Sequence, residues 1–483
     1  MMAFNSDAYL QNQITKQYVE PPHSIEQVDL FGEPFDMDEA LMKRITASDI
    51  AGLQNMVRGE TATYEDIAKA FYNQVLLHQD SHAVITLNQA AISEARKLRY
   101  DESHDPLYGI PVLVKDNIAT TEMPTTAGAV YLKDFMAKED AAIIKRLKAK
   151  GALILGKTNL SEWANFMTTK SANGYSAVGG QAKNPHGSFD VGGSSAGSGV
   201  AVAKRMSPVA IGTETAGSVI YPASQNGIVG LKPTLTTVPQ EGIIPVAHSH
   251  DTAGPMANTV RDCYALLAGM ETLDGKLTDH RLPLSKYTFG FLEDEALKDV
   301  YRGEDEAILA DFHQRMVKTG ASVQALTVAP EAHRLAIVDV LKYEFNEGVK
   351  AYFKESSQPA TLKDVVAFNL EDEKNRCPHG QDLLVESSTQ TFTASEIEAK
   401  VAHNQAVAKA ALDEAFEYVD VLVTVSNYAT TLYATSGYPA LTLPGYKRET
   451  GEPVGITLIG KAKSDMDLLH VGELIEEEVL RLR

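Results

Sequence analysis

A lysine that closes an apolar run and two serine-bearing glycine loops hold the most reactive combination of residues in this 483-residue chain. The run is Ile110-Pro111-Val112-Leu113-Val114-Lys115. The first loop spans Gly192 to Gly199 and contains Ser194 and Ser195; the second is Gly212-Thr213-Glu214-Thr215-Ala216-Gly217-Ser218. A hydroxyl nucleophile needs a neighbouring base, and the oxyanion it generates needs backbone N–H groups at close range. Glycine-rich turns present such groups because no Cβ obstructs the approach, and consecutive N–H groups in a turn form an anion-binding nest. A lysine serves as the base only when its pKa is lowered, and Lys115 directly after Val-Leu-Val is placed for burial. An adjacent carboxylate raises a lysine pKa, so the side chain of Asp116 must point away from the amine. Together these residues predict a serine hydrolase that works without a catalytic histidine. By residue type alone, Ser218 also fits a structural turn, Ser194 a Gly/Ser linker and Lys115 a salt-bridged surface lysine.

Two other constellations compete. Gly193-Ser194-Ser195-Ala196-Gly197 fits the G-x-S-x-G nucleophile elbow with Ser195 as nucleophile. That motif requires a strand immediately before it, whereas Asn184-Pro185-His186-Gly187-Ser188-Phe189-Asp190 reads as a loop. His248-Ser249-His250-Asp251 follows the strand-like Ile243-Ile244-Pro245-Val246 and resembles the start of a metal site. Its further ligands would come from His280, His313, His333, His379 or His403, none of which ends an apolar run.

The residues of interest need a scaffold, and its pattern is readable. The first ~85 residues read as mainly helical, with Thr63 and Asp66 placed as a capping box before an apolar stripe. Beyond them, short apolar runs at 112–114, 153–155, 209–211, 421–425 and 456–459 read as buried strands. Helical patterns at 140–150, 199–206 and 395–416 lie between them. This alternation predicts an α/β fold: one large mixed sheet covered by helices on both faces. Ligands in such folds sit beyond the carboxyl ends of the strands, where Lys115 and the Gly212–Ser218 turn would meet. Residues 1–85 are read as a helical N-terminal region packed on a catalytic domain of residues 86–483. Within it, a variable insertion around 270–400 carries helices near 304–319 and 335–354 and reads either as a wall of the substrate entrance or as a solvated peripheral cap.

An apolar fraction of 44% and a charged fraction of 22% fit a globular chain with a sizeable core. A net charge of −20 argues against nucleic acid and anionic membrane surfaces as partners. The start of the chain has neither a basic n-region nor an apolar h-region, and no stretch approaches the ~20 apolar residues of a membrane helix. The expectation is a cytoplasmic enzyme, with a homodimer as the commonest assembly for such chains. Cys263 falls on the apolar face of a helical pattern and reads as a buried structural thiol, distant in sequence from Cys377.

The motifs also resemble a known family. Tyr108 to Asn117, Gly156-Lys157-Thr158-Asn159-Leu160-Ser161-Glu162-Trp163, Gly193 to Ser198 and Gly212 to Ser218 resemble, in order, motifs of the amidase signature family. Gly227 to Pro233, Asp251 to Met256 and Gly451 to Ile456 continue the likeness over roughly residues 60 to 480. The resemblance implies the amidase signature fold and hydrolysis of a small-molecule or peptidic carboxamide without cofactor or metal. It implies Ser218 as the nucleophile that becomes the acyl-enzyme, with the N–H groups of Thr215, Ala216, Gly217 and Ser218 as oxyanion hole. It implies Ser194, joined by a cis peptide to the residue before it, as a proton bridge to Lys115, the general base. Many members carry Asp-x-Gly-Gly-Ser-Ile-Arg in the nucleophile loop. Here Glu214 replaces the Asp, Ala216 the first Gly, and Ile220 the Arg. The arginine subset includes the A subunits of glutamine-dependent amidotransferases, so its loss disfavours that alternative. The Gly-Thr-Glu-Thr-x-Gly-Ser form is closer to the bacterial peptide-amidase-like branch. A catalytically silent binding relative is the reading outside enzymology, and it gives no reason to retain Lys115, Ser194 and Ser218 together.

Overall fold

The computed structural model describes residues 32–271 and 282–480. Part of the expected N-terminal helical region, residues 1–31, lies outside the described residues. Helices Glu39–Ala47, Ile50–Arg58 and Tyr64–Leu77 follow. The last opens with the Thr63–Asp66 capping box, both reciprocal bonds present.

The core is an eleven-stranded mixed sheet. Its strands are β1 (Val84–Leu87), β2 (Pro111–Lys115), β3 (Leu153–Thr158), β4 (Val209–Glu214), β5 (Val229–Lys232) and β6 (Thr252–Ala257), then β7 (Thr288–Leu292), β8 (Ser322–Leu326), β9 (Val421–Val425), β10 (Ala440–Lys447) and β11 (Pro453–Ile459). Their spatial order is β1-β3-β2-β4-β6-β5-β10-β11-β9-β7-β8. Strands β3, β2 and β4 run parallel to one another. Every residue of these three strands is buried, as expected of strands covered by helices on both faces. At the far edge β8 is largely exposed.

The parallel pairing places the site. Val112 lies opposite Val209 and Val114 opposite Ile211, so β2 and β4 end side by side. The carboxyl end of β2 is Lys115, and the chain leaves β4 at Glu214 into the Thr215–Ser218 turn. Helix Ala196–Ala203 packs beside both strands with Ser195 at its N-terminus. Gly197 permits that approach: a Cβ there would stand 2.3 Å from the Ala83 carbonyl oxygen and 2.5 Å from the Asn159 backbone nitrogen and oxygen.

Segment 270–400 contributes β7 and β8 to the sheet as well as helices Asp305–Lys318 and Val338–Phe353. A second apolar cluster, including Trp163, Phe166, Phe345 and Phe353, ties the latter helix to the site side of the molecule. Run Ile243–Val246, strand-like in sequence, makes only an isolated bridge from Ile243 to Ile118. Pro245 lacks the N–H that a ladder would use. Cys263 and Cys377 are both buried and free. No helix among the described residues is long and apolar enough to cross a membrane.

Candidate active site

Lys115 is fully buried, and its amine is ringed by hydroxyls. Nζ lies 2.7 Å from Ser194 Oγ, 3.0 Å from Ser195 Oγ, 2.9 Å from Thr213 Oγ1 and 3.1 Å from the Thr213 carbonyl. Burial pushes its pKa down to about 7, against the pull of Asp251 and Glu214. No carboxylate among the described residues pairs with it. Asp116 does turn away, onto Lys157 Nζ at 3.1 Å and onto the N–H and hydroxyl of Thr126. Successive strand residues face opposite sides, so a carboxylate at 116 is directed off the face that carries the amine.

A neutral amine donates two hydrogens and accepts one. Ser195 Oγ donates to the Thr213 carbonyl and accepts from the Thr213 N–H, both at 3.1 Å. Its hydrogen is therefore spent, and it is fully buried. Thr213 Oγ1 accepts from Asn117 Nδ2 at 3.1 Å. The hydroxyls of Ser194 and Thr213 are left able to donate to Lys115, Ser194 at the shorter distance. The Ser194 backbone is held by Ser161, whose N–H donates to the Ser194 carbonyl at 3.0 Å, and the Gly193–Ser194 peptide is cis.

Ser218 stands in the same corner. The Ser195 N–H donates to the Ser218 carbonyl at 3.1 Å, which joins the two glycine loops directly. Among the described residues the Ser218 hydroxyl makes no hydrogen bond, and the residue keeps 9% exposure. Gly217 before it has φ +87°, a left-handed turn that glycine adopts without strain.

The turn is held from beneath by Glu214. Its buried carboxylate accepts the N–H groups of Gly217 at 2.8 Å, Val219 at 2.7 Å and Ile220 at 3.0 Å. Fully buried Lys232, its pKa pushed down to about 8 by burial, provides the nearby positive charge. The Gly217 N–H is thus engaged by Glu214, unlike those of Thr215, Ala216 and Ser218, which make no hydrogen bond among the described residues. Glu214→Ala is expected to leave three buried donors unpaired, each costing ~1–3 kcal/mol. The expected result is a loss of at least ~3 kcal/mol of stability, read as a lowered thermal midpoint. An unchanged midpoint would mean that the turn holds itself.

The other sequence-level constellations come apart. Ser195 follows a loop and is locked between Thr213 and Lys115, unlike an exposed elbow serine. His250 is buried with Nδ1 2.8 Å from Ser249 Oγ, while His248 is exposed.

Sequence reasoning passed over Thr213, Asn117 and the pinning role of Glu214. The alternation of β4 makes Thr213 and Glu214 face opposite ways, a signal that would have separated their roles. A cavity of about 560 Å³ beside the turn is lined by Asn117, Thr213 and Thr215 and by helix Val338–Phe353, a part of the 270–400 segment. Nothing local in that helix announces the contact.

Known proteins resemble this chain over most of its length. The sequence model of the family named Amidase matches residues 66–431. A probable amidase of Arabidopsis thaliana is 30% identical, the match covering 92% of this chain and 95% of the relative. An amidase family protein of Bacillus anthracis superposes with a TM-score of 0.85 at 34% identity, over 91% of this chain and 92% of that one. The peptide amidase of Stenotrophomonas maltophilia does so with a TM-score of 0.83 at 34% identity, over 90% and 97%. With the family model matched over most of its length and an α/β sheet of the same architecture, this chain belongs to the amidase family.

Proposed function

We propose that this chain hydrolyses the C–N bond of a carboxamide through an acyl-enzyme on Ser218, using Lys115 and Ser194 to move the protons. The observation that carries the reading is the buried Lys115 amine, pKa near 7, with its Nζ 2.7 Å from Ser194 Oγ at the strand end beside the Ser218 turn. Family membership makes amide hydrolysis the reaction; the assignment of roles rests on the geometry.

In the first step the Ser218 hydroxyl turns toward Ser194 and gives up its proton as Oγ attacks the carbonyl carbon. Ser194 takes that proton and passes its own to neutral Lys115. The charge on the carbonyl oxygen is met by the N–H groups of Thr215, Ala216 and Ser218, the turn's donors not engaged by Glu214. On collapse the C–N bond breaks, the Lys115 proton returns through Ser194 to the leaving nitrogen, and the amine or ammonia departs. Water then attacks the ester, giving its proton to the same relay, and Ser218 is regenerated as the carboxylate leaves. Each proton ends on an atom of the substrate or of the relay, so the cycle closes on the chain's own groups.

A fluorophosphonate at neutral pH, followed by mass mapping of the modified peptide, tests the assignment. Label on Ser218 is expected, together with hydrolysis of a simple carboxamide by the chain alone. Label on Ser195, or none, would overturn the proposed roles. Amidase activity appearing only when partner chains are added would point instead to an amidotransferase subunit.

A further inference from the structure

The cavity beside the nucleophile turn is strongly one-signed. Four carboxylates line it, those of Glu241, Asp251, Glu344 and Glu347, and among the described residues no lysine or arginine does. Asp251 accepts from Thr215 Oγ1 at 2.6 Å and from the N–H groups of Val246 and Ala247 at 2.8 and 3.0 Å. Glu344 accepts from the N–H and hydroxyl of Ser249 at 3.0 and 2.7 Å. All these donors are neutral. Among the described residues only Glu347 has a cation within ion-pair range, Lys350 at 3.6 Å on the outer side of the same helix, with 63% of that lysine side chain exposed. His248 at the rim is exposed.

A second observation is independent of the acidic residues. Asn117 lines the same cavity and is 3% exposed. Its amide nitrogen is committed to Thr213 Oγ1 and the Ile244 carbonyl, at 3.1 and 3.3 Å. Its Oδ1 is buried and accepts no hydrogen bond among the described residues. An orphaned buried acceptor costs free energy until a donor arrives. The cavity's lining thus carries four carboxylates with one exposed lysine as the only ion-pair partner among the described residues, and one wall residue, Asn117, holds a buried unpaired acceptor, together the complement of an N–H-bearing cation.

We infer that this cavity holds the ammonium group of a cationic amide substrate, with Glu344 and Glu347 as its specificity-determining carboxylates and Asn117 Oδ1 as an acceptor for an N–H of the substrate. The inference rests on the amidase reading and names a substrate class for it. Its reach to the reacting bond comes from Thr213 and Thr215, which belong both to the cavity wall and to the site. At about 560 Å³ the space suits a small amide carrying one charged arm. The ammonium can belong to the acyl part or to the amine part of the substrate.

Matched pairs separate these sources and the two readings. N-acetyl-lysinamide against N-acetyl-norleucinamide places the charge on the acyl side. The N-(2-aminoethyl) amide of acetic acid against its N-propyl amide places it on the leaving amine. The full chain is expected to show kcat/KM at least tenfold higher for the charged member of one pair. Glu344→Gln combined with Glu347→Gln should bring that ratio close to one, and the pair showing the preference assigns the side. Cleavage of the neutral members with no preference in either pair overturns the inference and leaves the amidase reading standing. A preference that survives in the double variant also overturns it. Failure of all four amides, together with no fluorophosphonate label on Ser218, removes the amidase reading itself.

Discussion

Ser218→Ala is expected to lower kcat for amide hydrolysis by about 10⁵–10⁶-fold, the scale of removing a covalent nucleophile from a preorganised site. Fluorophosphonate labelling should vanish with it. Folding should be unaffected, because the Ser218 hydroxyl makes no hydrogen bond among the described residues and the turn is held by Glu214 through backbone N–H groups. The carbonyl of residue 218 would still accept from the Ser195 N–H, since that contact uses the backbone. The check is kcat of the purified variant on a carboxamide the wild type cleaves, with the thermal midpoint measured alongside. Activity retained within tenfold would show that another group attacks the substrate.

Lys115→Met is expected to separate activity from stability in opposite directions. Loss of the base should lower kcat/KM by ~10²–10⁴-fold, the usual contribution of a positioned proton-transfer group. In the wild type Lys115 acts as base only when neutral, and burial sets its pKa near 7. The kcat/KM of the wild type should therefore rise with pH through about 7 and level off above it. The same lowered pKa makes the lysine a cost to folding. From about 7 in the folded chain to ~10.4 in the unfolded one, only the unfolded chain holds a proton on this amine. Stability from this group therefore increases as pH rises through that window and is lowest below it. At neutral pH the penalty is on the order of 4 kcal/mol. Methionine fills a similar volume without it. All three hydroxyls lose the amine, but those of Ser195 and Thr213 keep other partners, leaving Ser194 as the one without a remaining hydrogen bond among the described residues. The thermal midpoint of the variant should rise at pH 7, and the gain should shrink as the pH approaches 10. A fall in the midpoint at pH 7 would mean that the amine is charged and paired in the folded protein.

The legible parts of this protein are those whose signal is local. Runs such as Val112–Val114 and Val209–Ile211 are apolar throughout because their strands are buried on both faces, and that continuity is visible without neighbours. The capping box at Thr63 and the buried Cys263 follow the same logic. The candidate triad was legible only through the ordered family motifs, because by residue type alone Lys115, Ser194 and Ser218 also fit a surface lysine, a linker and a structural turn. Run Ile243–Val246 reads as a strand from its local pattern, but strand pairing depends on a partner edge, and there it reduces to one bridge.

Sequence alone determined the fold class and the strand ends that carry the candidate site, with the residue types proposed to move protons there. Tertiary structure decided what surrounds them. It placed Thr213 and Ser195 around the Lys115 amine, set Glu214 under the turn so that the Gly217 N–H is engaged, and made helix Val338–Phe353 a wall of the cavity that Thr215 and Asp251 also line. These placements bring together residues separated by up to about 140 positions along the chain. They depend on β2 and β4 being parallel neighbours and on which face of a distant helix meets the sheet. A lysine pKa, a held turn and a one-signed cavity are sums over such neighbours, so they exist only once the chain has folded.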